Sequence, residues 1–338
     1  MTISTHLETC NKKQFYDTSE VIYTISATFY SFIVIVGVPE NVAALYFLLC
    51  NKKELTEAKI YMISLTVADL LFVIFLPFWI DYYYREGNWI FSSFACSLWG
   101  SLFYINTYNT IFLLAVISFI RYRAVSQPVK VVQSRQVVRG LVLTALIWTL
   151  TIGFSLPIVI NHKDYLIITN SSNERCFESY EEKNTKTQVI VIHMLMELGF
   201  VGSFGVVIAN NVLILRTLSV DQKTLRTSQN KFKTRAFRLV LMVLIIFIVS
   251  FLPYHLIHLL WTLLVLNFWK SDDCAFRKTV NDVHHISLCL MCTNCILDPI
   301  LYCFMTTNFR QYFKELRQSF TRNCILRRNP KHQEIQLA

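Results

Sequence analysis

Apolar residues in this chain come in long blocks separated by short polar segments. Seven blocks stand out, at about 21–49, 60–84, 94–122, 137–160, 188–218, 236–266 and 282–305. Each is near the roughly 20 residues that an α-helix needs to cross a bilayer. The pattern predicts an all-α membrane protein, a bundle of seven transmembrane helices. An odd number of crossings puts the two ends of the chain on opposite sides. The expected layout is a tail over 1–20, the bundle over 21–305 and a second tail over 306–338.

The third block carries a second pattern inside the first. Phe103, Thr107, Thr110, Leu114, Ile117 and Arg121 follow the alternating four and three spacing of one helix stripe. Phe103 and Arg121 are five turns apart, a rise of about 27 Å, close to the hydrocarbon thickness. Cys96 stands at the outer end of this helix and Arg121-Tyr122 at the inner end. Such a helix links two compartments.

Composition supports the bilayer reading. The chain is 54% hydrophobic and 16% charged over 338 residues, too little charge for a soluble protein of this length. Segments 50–59, 121–139, 216–238 and 306–338 hold 22 of the 32 Lys and Arg. Basic residues mark the cytoplasmic side, so the N-terminus is expected outside and the C-terminus in the cytoplasm. The net +10 is then a property of the inner face, and nucleic acid is not an expected partner. Residues 1–20 are polar and suggest no cleavable signal. Asn170-Ser171-Ser172 offers a glycosylation sequon in an outer loop.

Polar residues within the spans are the candidate chemistry. Glu40 and Asn41 follow Pro39, and Asn41 needs a hydrogen-bond partner in hydrocarbon. Asp69 falls in mid-span, where an ionisable group is functional by default. Pro77 should kink the second helix and turn Trp79 inward. Tyr82, Tyr83, Tyr84 and Trp89 read as an interfacial belt. Pro253, after Phe247 and Phe251, predicts a hinge in the sixth span. Asn294 and Asp298 share a face of the seventh, followed by Pro299 and Tyr302. Residues 309–316 suit an amphipathic helix on the inner leaflet, with Cys324 available for palmitoylation. Cys10, Cys96, Cys176 and Cys274 fall outside, where disulfides persist, and the other six cysteines read as thiols.

Asn41, Asp69, Cys96, Arg121-Tyr122, Trp148, Phe247 to Pro253 and Asp298-Pro299-Ile300-Leu301-Tyr302 occur in the expected spans and order. On these the chain resembles the rhodopsin-like G-protein-coupled receptors over nearly its whole length. Gly87 to Ile90, Phe103 to Tyr108, Arg175 to Glu178, Trp261 to Leu263 and Asn281 to Pro299 resemble the members that respond to phosphocholine ether lipids. Two departures matter: Ile120 precedes Arg121 where most relatives have an acid, and Lys233 stands where many have another. The family's usual resting-state lock on the arginine therefore does not carry over.

The resemblance implies a plasma-membrane receptor, not an enzyme, with a heterotrimeric G protein and arrestin as inner partners and membrane lipids around it. It implies Cys96–Cys176 and Cys10–Cys274 disulfides, and an activation set of Asp69, Arg121, Tyr122, Phe247, Phe251, Pro253, Asn294, Asp298, Pro299 and Tyr302. A sodium ion at Asp69 and Asp298 is the implied allosteric metal; no other cofactor is expected. The implied ligand set is Trp79, Phe103, Tyr104, Asn106, Thr107, Glu178, His193, Tyr254, His255, His258, His285 and Leu288. Imidazoles suit a phosphate and aromatic rings suit a quaternary ammonium. A purinergic-like receptor for a nucleotide or another lysophospholipid stays open. So does an intramembrane metal hydrolase, with His255 and His258 spaced as zinc ligands, or a proton-coupled transporter.

Overall fold

A computed structural model describes residues 18–50, 55–126, 133–161, 166–168, 174–177, 183–220, 238–239, 241–265 and 273–305. Its helices are α1 (Glu20–Cys50), α2 (Glu57–Tyr84), α3 (Ser93–Ser126), α4 (Gln133–Ile160) and α5 (Lys183–Val220). A π-helical turn, Phe247–Phe251, leads into α6 (Leu252–Val265), and α7 (Cys274–Met291) continues into α8 (Asn294–Met305). Strands β1 (Leu166–Ile168) and β2 (Glu174–Cys176) pair antiparallel, Leu166 opposite Cys176, between α4 and α5. Among the described residues seven helical stretches are long and apolar enough to cross a membrane, as the hydrophobic blocks predict.

The seventh span starts at Cys274, eight residues before the predicted 282. Asp273 caps it, its carboxylate accepting from the backbone N–H groups of Ala275 and Phe276 at 2.9 and 3.1 Å. Arg277 and Lys278 in the first turns lower the hydropathy there and conceal the helix from a pattern reading. Thr56 caps α2 in the same way, accepting from Lys59 N.

Burial separates the helices by role. In its most apolar stretch α3 is 67% buried inside the bundle and α4 only 22%. α3 is therefore the central post. α4 turns Val138, Leu141, Val142, Leu146 and Leu150 outward, where apolar surface faces hydrocarbon.

Pro253 and Pro299 disturb the hydrogen-bond ladder of their spans, whereas Pro39, Pro77 and Pro157 stand inside helices that run on past them. Pro253 has no N–H to give, and the ladder widens: Leu252 N–H reaches Phe247 O in an i to i−5 bond. Pro299 likewise leaves the Cys295 carbonyl without its helical donor. Asn41 Nδ2 of α1 donates to that carbonyl at 2.7 Å and also to Gly37 O at 3.0 Å. The amide nitrogen thus has the partners that hydrocarbon demands, while Asn41 Oδ1 has none. Between α7 and α8 the helix is interrupted at Cys292 and Thr293. Thr293 Oγ1 lies 2.7 Å from Ser250 Oγ, so the breaks in the sixth and seventh spans touch.

At the end of the bundle that carries the hairpin, Cys96 and Cys176 form a buried disulfide that fixes β2 to the start of α3, as expected. Gly87, at φ 80°, makes the turn after α2, and a Cβ there would lie within 2.9 Å of Tyr23 Oη and Arg175 Nη1. Cys274 is disulfide-bonded, with a partner beyond the described residues. Among the described cysteines, Cys50, Cys289, Cys292 and Cys295 are free thiols. Cys10, Asn170, Glu178, Lys233, Cys324 and the 309–316 segment lie outside the described residues. At the opposite end of the bundle Glu57 accepts from Arg139 of α4 through Nε and Nη2, and Tyr61 donates to it at 2.9 Å.

Candidate functional site

Between α2, α3, α6 and α7 lies a cavity of about 720 Å³. Trp79, Phe103, Tyr104, Tyr254, His258, His285 and Leu288 from the predicted ligand set line it. Trp79 follows Pro77 in a helix that runs unbroken to Tyr84, and it faces the cavity. Phe177, just after β2, closes one side; a Cβ on Gly100 would run into its ring, so the glycine makes room for it. Among the described residues, no Lys, Arg, Asp or Glu lines this cavity. Arg175 lies above it and donates to Tyr23 Oη at 2.6 Å.

The imidazoles are tied to one another and to rings. His258 Nδ1 and His284 Nε2 are 3.1 Å apart, so with both rings neutral one nitrogen donates and the other accepts. His258 stacks on Tyr254 at 4.7 Å and His284 on Trp261 at 4.3 Å between centroids. Trp261 Nε1 in turn donates to Asn281 Oδ1 at 3.0 Å, and Asn281 to Thr18. His285 Nδ1 lies 2.9 Å from Tyr83 Oη. These bonds fix which face each ring offers to the space.

Four predicted ligand residues stand elsewhere. Asn106 and Thr107 are buried one turn below Phe103, and Asn106 Nδ2 donates downward to Asp69 Oδ1 at 2.9 Å. His193 faces the α5–α6 side, 3.3 Å from Thr262 Oγ1. His255 stacks on Phe200 at 3.8 Å and meets Glu197 Oε2 at 3.1 Å. His255 and His258 thus have different neighbours, and no three His, Cys, Asp or Glu among the described residues are grouped to hold a metal ion.

Other lining residues are not among the predicted ligands: Tyr30, Phe72, Leu76, Tyr82, Tyr83, Phe177 and His284. Tyr82, Tyr83 and Trp89 are buried, which corrects their reading as an interfacial belt; Tyr84 alone of the four is exposed. Tyr83 packs on Tyr23 and Tyr30 of α1 and on His285 of α7, Tyr82 packs on Trp79 and Trp89, and Trp89 itself is held by the hairpin. Trp89 N donates to Glu174 O at 2.7 Å, drawing the end of α2 beneath β2.

Below the cavity is a polar centre. Asn294 Nδ2 donates to Asn106 Oδ1 at 3.3 Å and to Thr110 Oγ1 at 3.5 Å. Asp69 and Asp298 are fully buried. Asp69 Oδ2 and both Asp298 oxygens have no hydrogen-bond partner. Bare carboxylates cannot persist in such surroundings, and a proton or a cation has to balance them. Tyr302 donates to Met62 O at 3.2 Å and accepts from Thr66. Phe247 and Phe251 are buried in the π turn; Arg121 and Tyr122 end α3 half-buried, with Arg121 engaged and Ile120 packed on the core.

Seven apolar helices, this outer cavity and the polar centre define a membrane receptor, and the chain belongs to the 7 transmembrane receptor (rhodopsin family), matched over residues 40–302. It is similar to the platelet-activating factor receptor of Bos taurus, 38% identical over 321 residues covering 90% of each chain. The platelet-activating factor receptor of Homo sapiens is also 38% identical, over 310 residues that cover 88% of this chain and 86% of that one. G-protein coupled receptor 68 of Mus musculus is 32% identical over 295 residues, 87% of this chain and 77% of its own length.

Proposed function

We propose that this chain is a plasma-membrane receptor, N-terminus outside, that binds a phosphocholine ether lipid such as platelet-activating factor and activates heterotrimeric G proteins. The observation that carries this reading is a cavity walled by aromatic rings and imidazoles with no charged side chain among its described residues. A phosphocholine head group carries one charge of each sign and no net charge. Its quaternary ammonium gains about 0.5–2 kcal/mol from each ring face it meets. Its phosphate accepts from imidazole N–H and tyrosine O–H groups. A nucleotide, with several negative charges, calls for Lys or Arg; the described lining favours the lipid.

The cavity floor connects to the inner half through rings. Phe103 meets Tyr254 edge-on at 6.0 Å, and the π turn follows Tyr254 toward the inside. Pressure on Tyr254 reaches Ser250, and through it Thr293 and α8. Sodium at Asp69 and Asp298, with Asn106, Thr110 and Asn294 nearby, would supply the positive charge that the unpartnered oxygens require. Ligand and ion then bias one two-state equilibrium in opposite directions. The basic inner segments suit G protein, arrestin and anionic lipid.

The test uses purified components. Receptor in bilayer discs is mixed with G protein, and guanine-nucleotide exchange is measured with platelet-activating factor. The lipid should accelerate exchange. Acceleration by adenine or uracil nucleotides, with none by the lipid, would transfer the receptor to the purinergic reading.

A further inference from the structure

Beyond His258 lies a second, smaller cavity of about 370 Å³, set in the cleft between α5 and α6. His258 lines both cavities. Its ring meets His284 on the main side and stands 4.5 Å from His193, centroid to centroid, on the cleft side. Ile190, Met194, Leu259 and Leu263 make up the apolar wall of the cleft. Met194, Leu259 and Leu263 are 50%, 46% and 37% exposed on the outside of the bundle. That outside is the face turned to hydrocarbon, so the cleft opens on the bilayer and not on water. Polar groups line it as well: His193 lies against Thr262 and Glu197 Oε2 against His255, while Glu197 Oε1 has no hydrogen-bond partner.

We infer that the α5–α6 cleft holds the alkyl chain of the lipid whose head group occupies the main cavity, the chain passing at His258. The inference rests on the ligand reading above and adds the route of the chain. A long chain left in the open mouth of the main cavity would stay against water, which is unfavourable. In the cleft it exchanges one hydrocarbon neighbourhood for another, because lipid tails are as apolar as leucine. Among the described residues His258 is the one that lines both spaces, and the proposed route requires its ring to turn away from His284. The cleft therefore selects for chain length, while the main cavity selects for the head group.

Two measurements test this on the full chain in bilayer discs. The first places a diazirine at the end of the hexadecyl chain of an ether phosphocholine lipid and maps the light-induced adducts. Adducts on Met194, Leu259 or Leu263, lost when unlabelled lipid competes, are expected. The second fills the cleft with Leu259→Trp and compares affinities for hexadecyl and butyl forms of the lipid. Overfilling should weaken the hexadecyl form about tenfold and the butyl form less than about twofold. Adducts confined to Phe72 and Leu76 of the main cavity, with the affinity ratio unchanged, would overturn the route and leave the ligand reading standing. Equal weakening of both forms also overturns it, since the indole then acts on the main cavity. If the unsubstituted receptor takes up neither form and no adduct is competed, the ligand reading falls, and the route with it.

Discussion

The outer cavity and the polar centre beneath it are made of opposite materials. In the cavity, large rings surround open space, and each imidazole leans on a ring or another imidazole. In the centre, amides and carboxylates touch one another, and three carboxylate oxygens have no partner. The first arrangement suits a bulky zwitterion recognised by shape and ring faces. The second suits a proton or a small cation and responds to charge alone. One helical turn of α3 separates them, from Phe103 at the cavity to Asn106 on Asp69. On the proposed function, recognition and switching occupy adjacent layers of one helix, and substitutions should sort by layer.

The largest effect is expected from Trp261→Ala, which removes a buried indole, its stack on His284 and its bond to Asn281. Loss of a buried ring of this size costs about 3–5 kcal/mol, read as a lower melting temperature of purified receptor. Sodium should stabilise the variant as much as the parent; if that response vanishes too, the layers are not separable. Asn41→Leu comes next. It leaves the Cys295 carbonyl without a donor, at a cost of about 1–3 kcal/mol, with lipid affinity expected to stay within about threefold. A melting temperature equal to the parent's would mean another donor reaches that carbonyl.

Asp69→Asn acts on the centre alone. Any decrease of agonist affinity by sodium should disappear, a change of about tenfold for a coupling near 1.4 kcal/mol. A full sodium effect surviving in the variant would remove the ion from this pair. The smallest effect belongs to Tyr83→Phe, which deletes the hydroxyl facing His285 and keeps the ring. One hydrogen bond is worth about 0.5–1.5 kcal/mol, so lipid affinity should fall severalfold with exchange at saturating lipid unchanged. A lowered maximum instead would place Tyr83 in the switching layer.

Much of this was legible in the sequence, and the gaps have physical causes. Hydrophobic blocks located all seven spans because a bilayer sets their length. Pro253 announced a distortion that appears as the π turn. What a block cannot report is the sideways aim of a residue. His255 and His258 are three apart, yet one meets Glu197 of α5 and the other His284 of α7. Asn106 and Phe103 are likewise three apart, and the difference of one turn puts the amide below the floor. Tyr82 and Tyr83 looked interfacial because nothing local foretells that Trp89 and rings of the distant α1 and α7 pack on them. Polar first turns, in the same way, concealed the start of α7.

The π turn holds one residue more than an α turn, and this gives the sixth span a property of a screw. Each residue of an α-helix advances the direction of the next by about 100°. Taking the extra residue of Phe247–Phe251 back into α register would rotate one part of the span against the other by about that angle. Tyr254 and His258 ride on one side of this joint, and Leu239 and Val243 on the other. A displacement along the axis at the cavity end of the span would thereby be geared to a twist at its opposite end, with no need for either helix segment to bend.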